Sequence, residues 1–467
     1  MKKFDFIIIG GGAAAFAAAI KANELGATTA MIQGPLPLGG TCVNVGCVPS
    51  KSLVHAAELV HATKKIHPGG IKLSLESFDF AKVIKDELDL VAALRKQKYE
   101  EVLSNLPQVT LIEGIAKFVN PNEIKVGKDI LSAKKFLIAT GTTALAPKIP
   151  GLAKAGYLTH VPAISRQILP KSLLVLGSGA VGLEFSQIFA RFGSAVTLVA
   201  RGESLYKNTE PELNKALEQV FADEKIKVLK NTVAVKVEVK NKLKVVTLKT
   251  GDQERTISVE DILVATGKTP NTSTLGLDNI GVELDKKGAV VASPTFQTSA
   301  DHIYVAGDVS SLPMRLETTA GKEGSLSAQN ALQGTKHTID YLSVPWTVFT
   351  APQLAGVGLL DEDTSKHGLS CTCNTVSFKH LAKAQILGDT RGVIKMVMDR
   401  QSRRIVGVHI LADNAGDIIG QAALVIKNKM TVDEVLETMP VFPTLSESIK
   451  IGAISLVTDI SKVSCCI

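Results

Sequence analysis

The sequence predicts an α/β protein of two Rossmann-like nucleotide-binding units, the second inserted into the first, with a separate α+β domain at the C-terminal end. Three observations carry this. A glycine fingerprint follows the first apolar strand, a second follows another strand near residue 177, and beyond about Tyr341 the pattern changes to alternating strands with two helices.

Size and composition agree. A chain of 467 residues suits about three domains, and one that is 45% hydrophobic, only 4% aromatic and rich in glycine suits alternating strands and helices rather than disorder. The net charge of +7 is modest, and no lysine or arginine run is interleaved with aromatics, so small anionic ligands are expected rather than a polynucleotide. Six cysteines are too few for a secreted disulfide scaffold. Their pairing (42 and 47, 371 and 373, 465 and 466) fits redox or metal chemistry in a reducing compartment, so a cytoplasmic address is expected. Lys2 and Lys3 before an apolar stretch imitate a secretory signal, with Ala17 to Ala19 as its cleavage site, but Asp5 and three glycines at 10 to 12 interrupt it. No other segment approaches the ~20 apolar residues of a membrane span.

In order along the chain, Phe4 to Ile9 reads as a strand, Gly10-x-Gly12-x-x-Ala15 as the turn, and Ala13 to Leu25 as a helix whose N-terminus faces a pyrophosphate. The second strand, Thr28 to Ile32, ends in Gln33 where an acidic residue is expected to hold a ribose. Glutamine still bonds a hydroxyl, without charge assistance. The phrases Leu137 to Gly141 (including Thr140) and Leu263 to Gly267 each end a strand with a turn and flank the inserted unit. In that unit Leu173 to Leu176 leads into Gly177-x-Gly179-x-x-Gly182 and a helix to about Phe192. Its second strand, Val196 to Val199, is followed by Ala200 and Arg201 with no acid for a ribose 2′-hydroxyl. Arg201 suits the 2′-phosphate of NADPH, while Glu203 leaves NADH open. The chain then returns in a strand ending at Gly307 and Asp308, which brings a carboxylate to a cofactor. The last domain holds strands Cys373 to Phe378, Val393 to Asp399 and Arg404 to Ile410. The expected boundaries are 1–150 with 265–340, 151–264, 341–460, and a tail at 461–467.

The chemical centre is Gly39-Gly40-Thr41-Cys42-Val43-Asn44-Val45-Gly46-Cys47-Val48-Pro49-Ser50-Lys51. Four residues between the cysteines permit a disulfide loop before a helix starting at Ser50, where the helix dipole and a nearby lysine favour thiolate. A structural disulfide is the alternative. The adjacent Cys465 and Cys466 close into a disulfide only through a strained ring, yet both readily present sulfur to a soft metal ion. A frayed terminus is the plain alternative for that pair.

On these residues the chain resembles the flavoprotein pyridine nucleotide disulfide reductases along essentially its whole length. Within that group the terminal cysteines and the phrase Leu94-Arg95-Lys96-Gln97-Lys98-Tyr99 most resemble the mercuric reductase branch. The resemblance implies FAD on the first unit and on Asp308, NADPH on the second, and a homodimer through the C-terminal domain with active sites shared between subunits. The cofactor-binding residues would be Gly10, Gly12, Ala15, Gln33, Gly40, Thr41, Lys51, Thr140, Gly141, Gly177, Gly179, Gly182, Arg201, Gly267, Gly307 and Asp308. Cys47 would face the flavin and Cys42 exchange with substrate, Lys51 and Glu184 would pair beside the flavin, and Tyr99 would stand near the inner metal site. Cys42, Cys47, Cys465 and Cys466 would be the metal-binding thiols, taking Hg(II) from small thiols. Many relatives carry an N-terminal metal-binding domain, whereas here the first strand begins at Phe4, so the tail is the expected route for the metal.

One position separates the branches. Disulfide reductases of this group place a histidine before Pro-Thr, because a leaving thiolate must be protonated by a general acid. Here the phrase is Phe442-Pro443-Thr444-Leu445-Ser446-Glu447. Phenylalanine supplies no proton, whereas thiolates exchange at Hg(II) by direct attack. Mercuric reductases usually have tyrosine at that place, so this chain also lacks a hydroxyl there. A large-type thioredoxin reductase is the rival enzyme, and a thiol-based metal-binding or redox-sensing flavoprotein of low turnover the rival of another class. Cys371-x-Cys373 reads as an accessory thiol site or as plain strand packing.

Overall fold

The computed structural model describes residues 2–64 and 70–464. The chain divides into two compact units: Met1–Ser52, Lys82–Leu145 and Gly267–Tyr341 form one, and Leu53–Ala81, Ala146–Thr266 and Leu342–Ile467 the other.

The first unit begins with β1 (Lys2–Ile9), α1 (Ala13–Glu24), β2 (Thr29–Gln33), α2 (Gly40–Val45), α3 (Cys47–Ala62, running on into the second unit) and α4 (Phe80–Arg95). Then come β3 (Val109–Glu113), β4 (Ala116–Asn120), β5 (Glu123–Val126) and β6 (Asp129–Ile138). The sheet runs β3-β2-β1-β6-β5-β4, with the short strand Ile303–Val305 also on β6. β1 lies parallel between β2 and β6, so both of its edges are paired, and its inner half is an unbroken buried run, Phe6 to Ile9. Alanine dominates α1 because the helix must approach both the sheet and the helix Glu317–Gln333 closely. At Gly324, on that second helix, an added Cβ would stand 2.7 Å from the carbonyl carbon of Ala14. Any larger side chain there would push the two helices apart.

The second unit holds a parallel sheet of Lys227–Leu229, Ala195–Val199, Ser172–Leu176 and Asp261–Val264, in that order, and an antiparallel meander of Thr232–Lys240, Leu243–Thr250 and Gln253–Val259. It also contains a five-stranded antiparallel sheet: Trp346–Val348, Gln353–Gly358, Ile405–Ala412, Val393–Asp399 and, at the edge, Cys371–Ser377. Its core packs Val357, Met396, Val408 and Ile410 against Ile418, Ala422 and Ala453 of the covering helices. The strands at 346–348 and 353–358 and the meander escaped the sequence reading. They are short or alternate on a half-exposed surface, the weakest of periodic signals. Among the described residues no helix is long and apolar enough to cross a membrane.

Candidate active site

The two glycine segments of the first unit are in direct contact, and this places the thiols. Gly39 N–H donates to the Gly11 carbonyl at 2.8 Å, and a Cβ on Gly40 would meet Gly12 Cα at 2.6 Å. Gly39 and Gly40 take φ of 91° and 61°, open to glycine at little cost. The fingerprint turn thus seats the short helix α2, which carries Cys42. The sequence reading began the next helix at Ser50, but α3 starts at Cys47 itself. Gly46, at φ −127° and ψ −108°, separates the helices, and Pro49 stands in the first turn, where no intrahelical N–H is needed. Cys47 is therefore at a helix N-terminus, where the dipole favours thiolate. Ser50 ties the turn, its hydroxyl donating to the Gly46 carbonyl at 2.7 Å, and Lys51 Nζ donates to Ser50 Oγ at 3.3 Å.

Cys42 is half-buried and Cys47 exposed. The hydrogen bond between the two thiols, then burial, then the charges of Cys47 and Glu317 hold the Cys42 thiol well above the usual range, so it keeps a proton that its neighbour shares.

Tyr99 lies beside this pair. It sits on a π-helical turn, Lys96–Glu100, with its ring edge-on to Phe16 at 4.8 Å and 88°. A Cβ on Gly39 would stand 2.9 Å from two of its ring carbons, so the ring packs on the backbone three residues before Cys42. Burial, with Cys42, Glu317 and Cys47 nearby, pushes the phenol up to about 12, so it remains a neutral donor at physiological pH. Asn44, within the same motif, has a part that its sequence position does not announce. Its buried amide donates to the carbonyls of Pro37, Leu38 and Gly40 at 3.1, 2.9 and 2.8 Å, and its oxygen accepts from Arg95 Nη1 at 3.1 Å. One side chain thus ties the glycine turn, α2 and α4 together. The signal was an asparagine inside a glycine-rich turn, where side-chain to backbone bonds are common.

Of the residues assigned to cofactors, Gly10, Gln33, Thr140, Gly177 and Asp308 fall at or just past strand ends, while Ala15, Gly40, Thr41, Lys51 and Gly182 lie on the helices that follow such turns. Gln33 ends β2 and is buried. Its amide nitrogen donates to the carbonyls of Gly34 and Leu36, while its oxygen, aimed over Gly11, has no partner among the described residues. A lone buried acceptor beside the fingerprint turn fits a ribose hydroxyl, which would donate to it. Asp308 follows the strand Ile303–Val305, accepts from Thr142 Oγ1 at 3.0 Å, and lies 3.5 Å from Lys268 Nζ. Gly307 N–H is held by Glu323, itself fully buried and bonded by the Tyr341 hydroxyl at 2.8 Å. Asn271 laces Thr140 and Gly141 through three bonds of 2.8 to 3.0 Å. Thr142, Lys268 and Asn271 carry no motif, and only the fold brings them here.

In the second unit Gly177 takes φ 104°, and Gly182 lets the helix Ala180–Phe192 lie against the Gly177 carbonyl. A Cβ on Gly179 would enter open space at this helix N-terminus, and Arg201 is exposed just past Ala195–Val199. These features fit a pyrophosphate and a 2′-phosphate. Glu184, on the same helix, is buried and accepts from Phe349 N–H at 2.9 Å. Phe442 is 53% exposed. The glutamate that follows it, Glu447, accepts from Thr444 N–H at 2.8 Å and so caps its own turn. Cys465 and Cys466 lie outside the described residues.

A neighbouring thiol pair at a helix N-terminus, beside one of two dinucleotide turns in one chain, defines a nucleotide-dependent dithiol oxidoreductase. Residues 4–334 match the family described as pyridine nucleotide-disulphide oxidoreductase, and residues 344–452 match its dimerisation domain. The chain is 38% identical to a mercuric reductase of Lysinibacillus sphaericus, over 99% of this chain and 84% of the relative. It is 37% identical to one of Streptomyces lividans, over 99% and 98%. Among solved structures it resembles the HOCl-induced flavoprotein disulfide reductase RclA of Escherichia coli, with a TM-score of 0.86 at 26% identity over 97% of this chain and all of that one. The chain belongs to the pyridine nucleotide-disulphide oxidoreductase family, and its curated relatives set it on the mercuric reductase branch. It is a flavoprotein oxidoreductase whose cofactors are FAD and NADPH.

Proposed function

We propose that this enzyme reduces thiol-bound Hg(II) to elemental mercury, as a cytoplasmic homodimer. The boundaries read from the sequence, 1–150 with 265–340 for FAD and 151–264 for NADPH, belong to the same proposal. Phe442 carries the choice of a metal ion over an organic disulfide. A side chain without a transferable proton stands where a disulfide reductase needs a general acid.

When bound, FAD supplies the two electrons that NADPH brings. The chain's own residues receive and hold the metal. A thiolate of the Cys42 and Cys47 pair attacks Hg(II) and a carrier thiolate leaves; one S–Hg bond forms as one breaks, and no proton is required. The second thiol repeats the exchange, its proton passing to the departing carrier thiolate, and both carriers are then free. The Tyr99 phenol, neutral at physiological pH and near enough to Cys42 and Cys47 to feel their charges, would serve as a donor toward sulfur. Asn44 and Arg95 fix the turn that aims Cys42. Cys465 and Cys466 of the partner subunit would deliver the ion, Lys51 and Glu184 would pair beside the flavin, and the remaining glycines with Gln33, Arg201 and Asp308 would hold the cofactors.

Replacing Cys465 and Cys466 by alanine tests the delivery step. Turnover of thiol-complexed Hg(II) is expected to fall strongly while reduction of the flavin by NADPH is kept. Unchanged turnover would remove the tail from the mechanism.

A further inference from the structure

The thiol pair of the edge strand Cys371–Ser377 lies far along the chain from the active-site motif, yet its two side chains converge on one group. Cys371 Sγ donates to Asp361 Oδ1 at 3.1 Å and Cys373 Sγ to Asp361 Oδ2 at 2.9 Å, while the Thr364 hydroxyl donates to Cys371 Sγ at 3.3 Å. Residues two apart on a strand share a face, which accounts for the convergence. The Asp361 carboxylate is held independently by Lys395 Nζ at 3.3 Å, and Lys395 also meets Glu210 and Glu212 at 3.0 and 3.1 Å. Both thiols are partly exposed at the sheet edge.

This spacing disfavours a disulfide. Two residues of extended strand span about 6.4 to 6.8 Å between Cα atoms, at the far end of the range a disulfide tolerates. The ladder fixes that distance, because Cys371, Thr372 and Cys373 pair in register with Asp399, Met398 and Val397. A soft cation bridging two sulfurs accepts the wider separation. Among the described residues no cluster of three or more histidine, cysteine, aspartate or glutamate side chains is set to hold a metal. An ion satisfied by two sulfurs alone therefore suits this pair.

We propose that Cys371 and Cys373 form a second dithiol site, which captures a two-coordinate soft cation such as Hg(II) between their sulfurs. Two S–H bonds break, two S–metal bonds form, and two protons leave to solvent; nothing is oxidised or reduced. The exchange is neutral in charge, two thiols giving way to two thiolates and a dication. Asp361 loses two donors but keeps Lys395, so the half-buried carboxylate retains a charged partner. The site rests on thiol chemistry and does not depend on the reading of the active site.

The test uses the full-length holoenzyme with Cys42, Cys47, Cys465 and Cys466 all replaced by serine, titrated with Hg(II) in equilibrium dialysis against a competing small monothiol. One Hg(II) per chain should bind, with thiolate-to-metal charge-transfer absorption in the ultraviolet. Adding C371S or C373S should weaken binding at least tenfold, because a single thiol has no advantage over the competitor, whereas D361N should keep it. In the wild type, Hg(II) should protect both cysteines from alkylation, read by mass spectrometry, which covers the case of an unfolded multiple variant. C371S/C373S should leave NADPH-dependent turnover unchanged, separating this site from the catalytic one. Absence of stoichiometric binding together with absence of protection overturns the proposal, as does undiminished binding by C371S.

Discussion

Removing Asn44 should loosen the thiol motif without touching either cysteine. Its side chain is 7% exposed and makes four bonds, three to backbone carbonyls and one to the Arg95 guanidinium. At about 1 kcal/mol for each of the two amide protons shared among the three carbonyls and about 2 for the bond to a charged group, Asn44→Ala forfeits up to about 4 kcal/mol, and water entering the gap returns part of it. A net local loss of about 2 to 4 kcal/mol is expected, felt where α2 meets the fingerprint turn. Asn44→Asp separates bonding from volume, since it keeps the acceptor for Arg95 but aims an anionic oxygen at three carbonyl oxygens. At pH 8 it should be worse than the alanine variant, and it should improve as the pH falls and the carboxyl takes a proton. The assay is the rate at which Cys42 is alkylated, together with flavin retention through a urea titration. Alkylation should accelerate at least tenfold in Asn44→Ala and more in Asn44→Asp at pH 8. Equal rates in wild type and Asn44→Asp would refute the reasoning.

Three further outcomes follow from the same physics. Gln33→Ala removes the lone buried acceptor and should weaken FAD retention by roughly ten- to hundredfold, while Gln33→Glu should tighten it by adding charge; equilibrium dialysis of FAD decides. Phe442→His should confer measurable turnover of a small organic disulfide, at least tenfold above the parent; no gain would mean that the missing acid is not what blocks that chemistry. Glu87, 1% exposed on α4, has neither oxygen bonded among the described residues, and burial raises it to about 7. A carboxyl raised in the folded state binds its proton more tightly there, so folding is favoured least above pH 7 and the penalty disappears below about pH 4.5. Glu87→Gln should therefore stabilise the protein at pH 8 by up to about 3 kcal/mol and by little at pH 4.5, read from urea midpoints at both.

Both nucleotide folds were legible because their fingerprints combine a buried strand, glycine geometry and a helix within about twenty residues, all local facts. The active-site motif was legible for the same reason, except at its helix boundary: a start at Ser50 is expected, and the helix starts three residues earlier, at Cys47, because Pro49 fits its first turn. Tyr99 looked like an ordinary helix residue apart from the family resemblance. Its contacts with Phe16 and Gly39 span sixty residues or more and depend on a π-helical turn that no periodicity announces. Asn271, Thr142 and Lys268 reach the Asp308 region only because a short ribbon pairs Thr142–Ala144 with Lys268–Pro270 across the inserted unit. Cys371 and Cys373 were visible as a pair, but their shared partner, Asp361, emerges only from the turn that precedes their strand.

The most direct measurement of the central claim is simultaneous NADPH oxidation and release of mercury vapour from purified enzyme given Hg(II) in excess small thiol. One elemental mercury should leave for each NADPH consumed, with no comparable NADPH oxidation when thioredoxin or glutathione disulfide replaces the metal. Oxidation that proceeds with a disulfide, with no mercury released when Hg(II) is offered, would contradict the account.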